Sequence, residues 1–286
     1  MTKIWIEINL NLKQRDFIML KRYVVFFVLN LLVWPCFGLS ICSWNIANIG
    51  QSKSDIEIQF IASVLKAYDV VAIQEVVAGA GGAAAIARLH DALNRTGSKW
   101  DYTVSDPTTG SSYKTERYAF IWKTAKVKLK GKAWLEFNYK IEVDREPYMA
   151  TFKEGANEFT VVNFHAITKS KQPETEIKYF KFLPAAYPTL NLIFCGDFNC
   201  PQSHSVFNPL KGMGYVPALV NQKTSLKQNC VGNQCLASEY DNFYFKKDRY
   251  NLLSAGIIAF YKSFSDLKEA RKISDHVPIF LEIDWR

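Results

Sequence analysis

The sequence predicts an α/β protein in which two packed β-sheets carry helices on their outer faces. Short runs rich in β-branched and aromatic residues recur along the chain and outnumber the amphipathic helical stretches between them, and such sheets are stable when each buries one face on the other. The chain has 286 residues, 49 % of them apolar and 14 % aromatic, enough for one large core. Polar motifs border the apolar runs from Asn45 to His276, with no internal repeat or low-complexity linker between them. Both halves therefore have to meet at one site, which argues for a single domain.

Residues 1–18 lack signal character and read as an upstream extension. Met19-Leu20-Lys21-Arg22 is a short basic region, the apolar run 23–34 follows it, and Cys36-Phe37-Gly38 supplies small residues for cleavage. Residues 19–38 thus read as a secretory signal peptide. The run is short for a membrane anchor and carries Asn30 and Pro35. The expected mature domain is 39–286, secreted or periplasmic.

Residues 39–46 read as the first strand. Ser54-Asp55-Ile56-Glu57 has the spacing of a capping box, and Phe60, Ile61, Val64, Leu65 and Tyr68 recur at helical spacing behind it. Residues 69–76 are the next strand. The glycine- and alanine-rich 78–82 reads as a mobile loop, since it matches no phosphate-loop spacing, and 83–93 as a helix. Strands follow at 118–122, 126–129, 148–152 and 159–165. Pro173 opens a helix over 173–183, and 190–195, 240–245, 256–261 and 277–283 complete the strands.

The formal charge is +8. Removing 1–38 takes away Lys3, Lys13, Arg15, Lys21 and Arg22 with Glu7 and Asp16, leaving 30 basic against 25 acidic residues, a formal +5. A basic balance helps a protein approach a polyanion such as nucleic acid. Of the remaining cysteines, Cys230 and Cys235 flank the flexible Val231-Gly232-Asn233-Gln234 and form the best disulfide pair in an exported protein. Cys42 and Cys195 lie inside apolar strands as buried thiols.

Three carboxylates sit at strand ends: Glu75 in Gln74-Glu75, Asp197 in Gly196-Asp197-Phe198-Asn199, and Asp275 in Ser274-Asp275-His276. Strand ends gather polar groups from distant parts of a chain, and oxygen ligands of this kind suit Mg²⁺ or Ca²⁺. The pattern points to a metal-dependent phosphoesterase. Taken singly, His165 in its apolar strand reads as a core residue, Asp241 as a turn cap, and Glu116 with Arg117 as a surface ion pair. His90 and His204 lie outside every motif.

Taken together, Trp44-Asn45, Gln74-Glu75, Tyr113 to Tyr118 (YKTERY), Arg145-Glu146-Pro147, Asn163-Phe164-His165, Gly196-Asp197-Phe198-Asn199, Tyr240-Asp241 and Ser274-Asp275-His276 resemble, in order, the endonuclease/exonuclease/phosphatase superfamily. Its deoxyribonuclease I branch is the most similar. The resemblance implies a four-layer α/β/β/α sandwich and a Mg²⁺ cofactor, with Mn²⁺ or Ca²⁺ as alternatives. It implies that Glu75, Asn45 and Asp275 hold the metal, that Asp197 and Asn199 position phosphate or water, and that His165–Glu116 and His276–Asp241 are the acid and base couples. His165 is favoured as the acid and His276 for the attack side. Tyr113 and Arg117 are implied substrate contacts, and Arg145-Glu146-Pro147 is either a substrate contact or a structural element that sets a strand entry near the site. The expected activity is endonucleolytic cleavage of DNA with little sequence preference, leaving 5′-phosphate ends, by a monomer that grips phosphates.

Mammalian-type members carry groove-binding arginines where this chain has Ala47 and Val77, and YKTERY is one residue longer than its counterpart. Lys114, Lys123, Lys126, Lys128, Lys130 and Lys132 offer another phosphate-binding face. A lipid or small phosphate ester is the alternative substrate. It calls for an exposed apolar hairpin or a head-group pocket, for which Trp134-Leu135-Glu136-Phe137-Asn138-Tyr139 is the only candidate.

Overall fold

The computed structural model describes residues 38–110 and 115–286. Tyr113 and all of the 19–38 segment except Gly38 lie outside the described residues. In the N-terminal half the strands are β1 (Leu39–Ile49), β2 (Val70–Val77), β3 (Trp100–Val104), β4 (Glu116–Lys123), β5 (Lys128–Leu129) and β6 (Trp134–Leu135). Next come β7 (Tyr148–Glu154), β8 (Asn157–His165), β9 (Leu192–Asp197), β10 (Tyr215–Pro217), β11 (Leu226–Val231) and β12 (Gln234–Leu236). The last are β13 (Asp241–Lys246), β14 (Tyr250–Ile257) and β15 (Ile279–Trp285). The helices are α1 (Asp55–Leu65), α2 (Ala80–Asn94), α3 (Glu174–Ile177), α4 (Leu183–Ala186), α5 (Asn208–Gly212) and α6 (Leu267–Ile273).

One sheet has the order β14-β15-β1-β2-β4-β3, the other β10-β13-β9-β8-β7-β5 with β6 also on β7. Each has one parallel pair near its centre, β1 with β2 and β8 with β9. These strands are buried on both faces, which is why they read as unbroken apolar runs. Ile41, Val70, Phe120, Phe152, Ile193 and Phe243 fill the space between the sheets. The outer face of the first sheet is covered by Ile61, Leu65, Ile86, Leu89 and Ile273 from α1, α2 and α6. The outer face of the second lies under Ile177, Phe180, Leu183 and Leu210. This is the expected four-layer sandwich of two mixed sheets flanked by helices.

The capping box forms as expected: Ser54 Oγ accepts from Glu57 N at 3.2 Å, and Ser54 N donates to Glu57 Oε2 at 2.7 Å. Residues 80–82 differ from the expected mobile loop, because they form the first turn of α2. A Cβ on Gly82 would lie 1.9 Å from Val77 O, so glycine is there to let the helix sit on the end of β2. The helix expected over 173–183 breaks into α3, a 3₁₀ turn at Phe180–Phe182 and α4. Pro184 explains the break, since it cannot donate into the preceding turn. The strand expected at 256–261 ends at Ile257, and Phe260–Ser263 is a 3₁₀ turn. Residues 126–129 contribute only Lys128–Leu129 to the sheet. Among the described residues no helix is long and apolar enough to cross a membrane.

Gly196 has φ +131°, and a Cβ there would meet Phe164 O at 1.9 Å. Gly196→Ala should therefore cost at least about 2 kcal/mol from backbone strain and displacement of β8. Urea unfolding followed by circular dichroism reads this directly, and an unchanged midpoint would contradict the tight β8–β9 approach.

Candidate active site

Register builds the site. His165 pairs with Asp197 across β8 and β9, and Asp197 pairs with Asp241 across β9 and β13. In-register residues of neighbouring strands point to the same face, so three polar side chains are aligned before any side-chain contact is made. In the first sheet Asn45 pairs with Gln74, after which the β1–β2 register shifts. The shift carries Asn48 at φ +49° and Glu75 at φ +59°. A bulge of this kind re-aims a side chain, and here Glu75 accepts from Asn45 Nδ2 at 3.0 Å and from Asn48 N at 3.1 Å. A buried polar seam locks the two sheets together beneath: Gln74 Nε2 donates to Asn163 Oδ1 at 2.6 Å and Ser43 Oγ at 3.0 Å.

Each catalytic-type histidine has a carboxylate behind it. His165 Nδ1 lies 3.0 Å from Glu116 Oε2, and His276 Nδ1 lies 2.7 Å from Asp241 Oδ2. The other ring nitrogens converge: His165 Nε2 and His276 Nε2 lie 3.6 and 3.5 Å from the same Asp197 Oδ2. Asn45 Nδ2 also donates to that oxygen, at 3.2 Å, while Asn199 N donates to Asp197 Oδ1 at 2.8 Å. Asn199 has φ +48°, a conformation asparagine tolerates better than most residues. Asp275 stands on the cleft wall, 45 % exposed, with Arg271 Nη2 at 3.4 Å. These groups open onto a cleft of about 580 Å³.

Burial opposes charging of both imidazoles, but the carboxylates prevail. Glu116 and then Asp197 raise His165 above its ordinary value, and Asp241 and Asp197 raise His276 well above it. Asp197, although fully enclosed, is held below the usual carboxylate range by His276 and His165. Both imidazoles therefore keep their protons to higher pH than free imidazole, and Asp197 keeps its charge to lower pH than a free carboxylate. A histidine whose folded value is raised contributes stability fully below its unfolded value of about 6.5 and loses it as the pH rises through the raised value. In EDTA the Tm should accordingly fall as the pH is raised from about 6.5. His276→Asn should flatten that decline, and an equal slope in the variant would contradict the assignment.

The donors present fit a hard divalent cation. Among the described residues Asn45 Oδ1 is buried without a hydrogen-bond partner, while its amide nitrogen serves Glu75 and Asp197. An unpartnered amide oxygen beside a carboxylate that opens to the cleft is an oxygen-donor pair suited to Mg²⁺. Asp197, Asp241 and His276 also bring ligand-type atoms within 4.8 Å of one another. The hydrogen bond between His276 Nδ1 and Asp241 marks those two as a proton couple first.

Two of the expected substrate contacts are engaged elsewhere. Arg117 Nε donates to Ala78 O and Nη1 to Ser105 O, both at 2.7 Å, which pins the rim of the first sheet. Arg145 is buried, donates to His165 O at 2.9 Å and to Ala166 O, and lies 3.4 Å from Glu116 Oε2. It fixes Glu116 and the end of β8 from below. Its neighbour Glu146 is fully buried and accepts from Thr109 N at 2.9 Å. His204 caps a 3₁₀ turn, and His90 bonds Trp100 O at 3.0 Å, so both are structural. Cys230 and Cys235 are joined in a disulfide, whereas Cys42 and Cys195 are buried free thiols.

Three residues outside the expected site hold it in place. Thr224 Oγ1 donates to Asp241 Oδ2 at 2.6 Å. Ser274 Oγ donates to Asn45 O at 2.6 Å and accepts from His276 N at 3.0 Å, tying the two ends of the chain together. Lys53 Nζ donates to Lys272 O at 2.5 Å and Ile273 O at 2.7 Å, capping α6 just before Ser274. Ser274 carried a signal, its place in the motif. Thr224 and Lys53 carried none.

Residues 42–276 match the endonuclease/exonuclease/phosphatase family. The chain belongs to that family. A protein of Thioalkalivibrio sp. (strain K90mix) called a deoxyribonuclease is 27 % identical over 92 % of this chain and 76 % of its own length. Deoxyribonuclease gamma of Rattus norvegicus is 26 % identical over 85 % of this chain and 83 % of its own. Among solved structures, an endonuclease/exonuclease/phosphatase family protein from Bacteroides thetaiotaomicron shares the fold at TM-score 0.62 and 18 % identity, covering 86 % of this chain and 97 % of that one.

Proposed function

We propose that this protein is an exported, monomeric endonuclease that requires a divalent metal and hydrolyses DNA phosphodiesters to leave 5′-phosphate ends. The observation that carries the reading is the convergence of two carboxylate-backed imidazoles on one Asp197 oxygen, beside Glu75 and the unpartnered Asn45 Oδ1. The relatives called deoxyribonucleases favour DNA as the polymer. Glu75 and Asn45, with Asp275 on the rim, would hold Mg²⁺, Mn²⁺ or Ca²⁺, and such an ion when bound neutralises charge on the phosphate's non-bridging oxygens.

The chain's own groups do the rest. His165 holds a proton at Nε2 for the departing 3′-oxygen, and Glu116 keeps that imidazole oriented and charged. His276, braced by Asp241 and Thr224, faces the attack side and takes the proton of the incoming water. The attack-side imidazole, raised well above its ordinary value by Asp241 and Asp197, works only after losing its proton. A bell-shaped pH profile that belongs to the coupled pair follows. Asn199 faces the phosphate, and Asp197 aligns the two imidazoles on either side of it.

The run named for the lipid or small-ester alternative gives it little support. In the Trp134–Tyr139 run, Leu135 is buried, Trp134 is half-buried on β7 and only Phe137 is an exposed apolar residue. Purified protein offered supercoiled plasmid, single-stranded DNA, RNA, sphingomyelin and inositol phosphates with Mg²⁺ should nick plasmid and stop in EDTA. Hydrolysis of the lipid or inositol esters without nicking would overturn the proposal. Export rests on the 19–38 segment and agrees with a disulfide at Cys230–Cys235. Expression from Met19 should yield extracytoplasmic protein beginning near Leu39, and an intact, membrane-held N-terminus would contradict it.

A further inference from the structure

Two walls of the cleft come from segments that neither catalytic couple uses. The turn after β8 presents Thr168, Lys169 and Ser170, and the start of β11 presents Lys227 and Gln228. The second wall is rigidly placed against the catalytic chain. Leu226 N donates to Asp275 O at 2.7 Å, Val277 N to Thr224 O at 2.8 Å, and Ser225 pairs with His276. Arg271 Nη1 adds bonds to Leu226 O at 2.8 Å and Lys227 O at 3.4 Å. Beyond Lys227 the β11–β12 hairpin is closed by the Cys230–Cys235 disulfide. Lys227 is thus held in fixed relation to His276 by its own backbone.

Lys169 is exposed and Lys227 half-buried. Among the described residues neither makes an ion pair, whereas Lys130 and Lys272 pair with Glu158 and Glu269 at 2.7 Å. Lys169 follows the strand that ends at His165, and Lys227 adjoins Leu226, which is bonded to Asp275 next to His276. An unpaired ammonium thus neighbours the segment of each imidazole, an arrangement that suits an anion extending past the centre in both directions. A terminal monoester would fill the centre and reach neither wall with a second phosphate.

We propose that Lys169 and Lys227 clamp the phosphates flanking the scissile one, and that the disulfide-closed β11–β12 hairpin is the arm that carries one clamp. The substrate class is then a polynucleotide strand with phosphates on both sides of the cut. This rests on the endonuclease reading above and names the residues that hold the strand on either side of the cut.

The test measures binding of a fluorescent DNA duplex in EDTA, by anisotropy across a salt series, for wild type, Lys169→Gln, Lys227→Gln and the double variant. Each lost phosphate contact should flatten the slope of log K against log salt by about 0.9. In Mg²⁺ the double variant should lose at least tenfold more kcat/KM on plasmid than on thymidine 5′-(4-nitrophenyl) phosphate, mainly through KM. An unchanged salt slope in the folded double variant, or equal losses on both substrates, overturns the clamp. If the wild type nicks plasmid while the variants keep its slope, the clamp fails alone. A wild type that neither binds nor cuts DNA overturns the nuclease reading together with the clamp.

Discussion

Asp197→Asn should abolish plasmid nicking, by at least about 10³-fold, while leaving the fold intact. The substitution keeps the shape of a side chain that is 1 % exposed and removes the charge on which both imidazoles converge. Asn45 Nδ2 donates to Oδ2 and Asn199 N to Oδ1, so an amide oxygen keeps one of these two hydrogen bonds. The amide NH₂ faces the other donor, a local cost that a folding check by circular dichroism reads. What disappears is the anion shared by the two Nε2 atoms, which adds to Glu116 behind His165 and to Asp241 behind His276. Near-normal nicking by the folded variant, measured free of contaminating nuclease, would remove Asp197 from the reaction.

His165→Asn and His276→Asn should each lower kcat by about 10²–10⁴-fold, with the double variant little worse than the poorer single one because the couples act as a unit. A substrate whose leaving group departs without a proton separates the two roles. On a 4-nitrophenyl diester, His165→Asn should recover most of its loss, since no acid is needed there, while His276→Asn should stay slow. Recovery by His276→Asn instead would exchange the two assignments and leave the site itself standing.

The parts of this site legible in the sequence are those that border buried apolar runs. Asp197 and Glu75 end apolar runs buried on both faces, and those runs are easy to see. The resemblance then supplied partners that no local pattern could, such as Glu116 behind His165. Arg117 and Arg145 show what such carry-over leaves open. Both lie in the right motifs, but whether a guanidinium faces substrate or backbone depends on its register against β3 and on the carbonyls at the end of β8.

The missed elements were weak for physical reasons. β11 reads Leu-Lys-Gln-Asn-Cys-Val, mostly exposed, and β-propensity reflects burial that this hairpin does not have. α6 has seven residues, too short for a helical period to stand out. Gly79 to Gly82 looked like a loop because the tight seating of α2 on Val77 O is a tertiary demand for glycine, invisible in the chain alone.

The most direct measurement is plasmid nicking by wild type and Asp197→Asn side by side, in Mg²⁺, after EDTA, and after Mg²⁺ is restored. The account predicts nicking by wild type that vanishes with EDTA and returns with the ion, and none from the variant in any buffer. Nicking that survives in EDTA, or that Asp197→Asn performs as well as wild type, would contradict a metal-dependent phosphodiesterase centred on the Asp197 cluster.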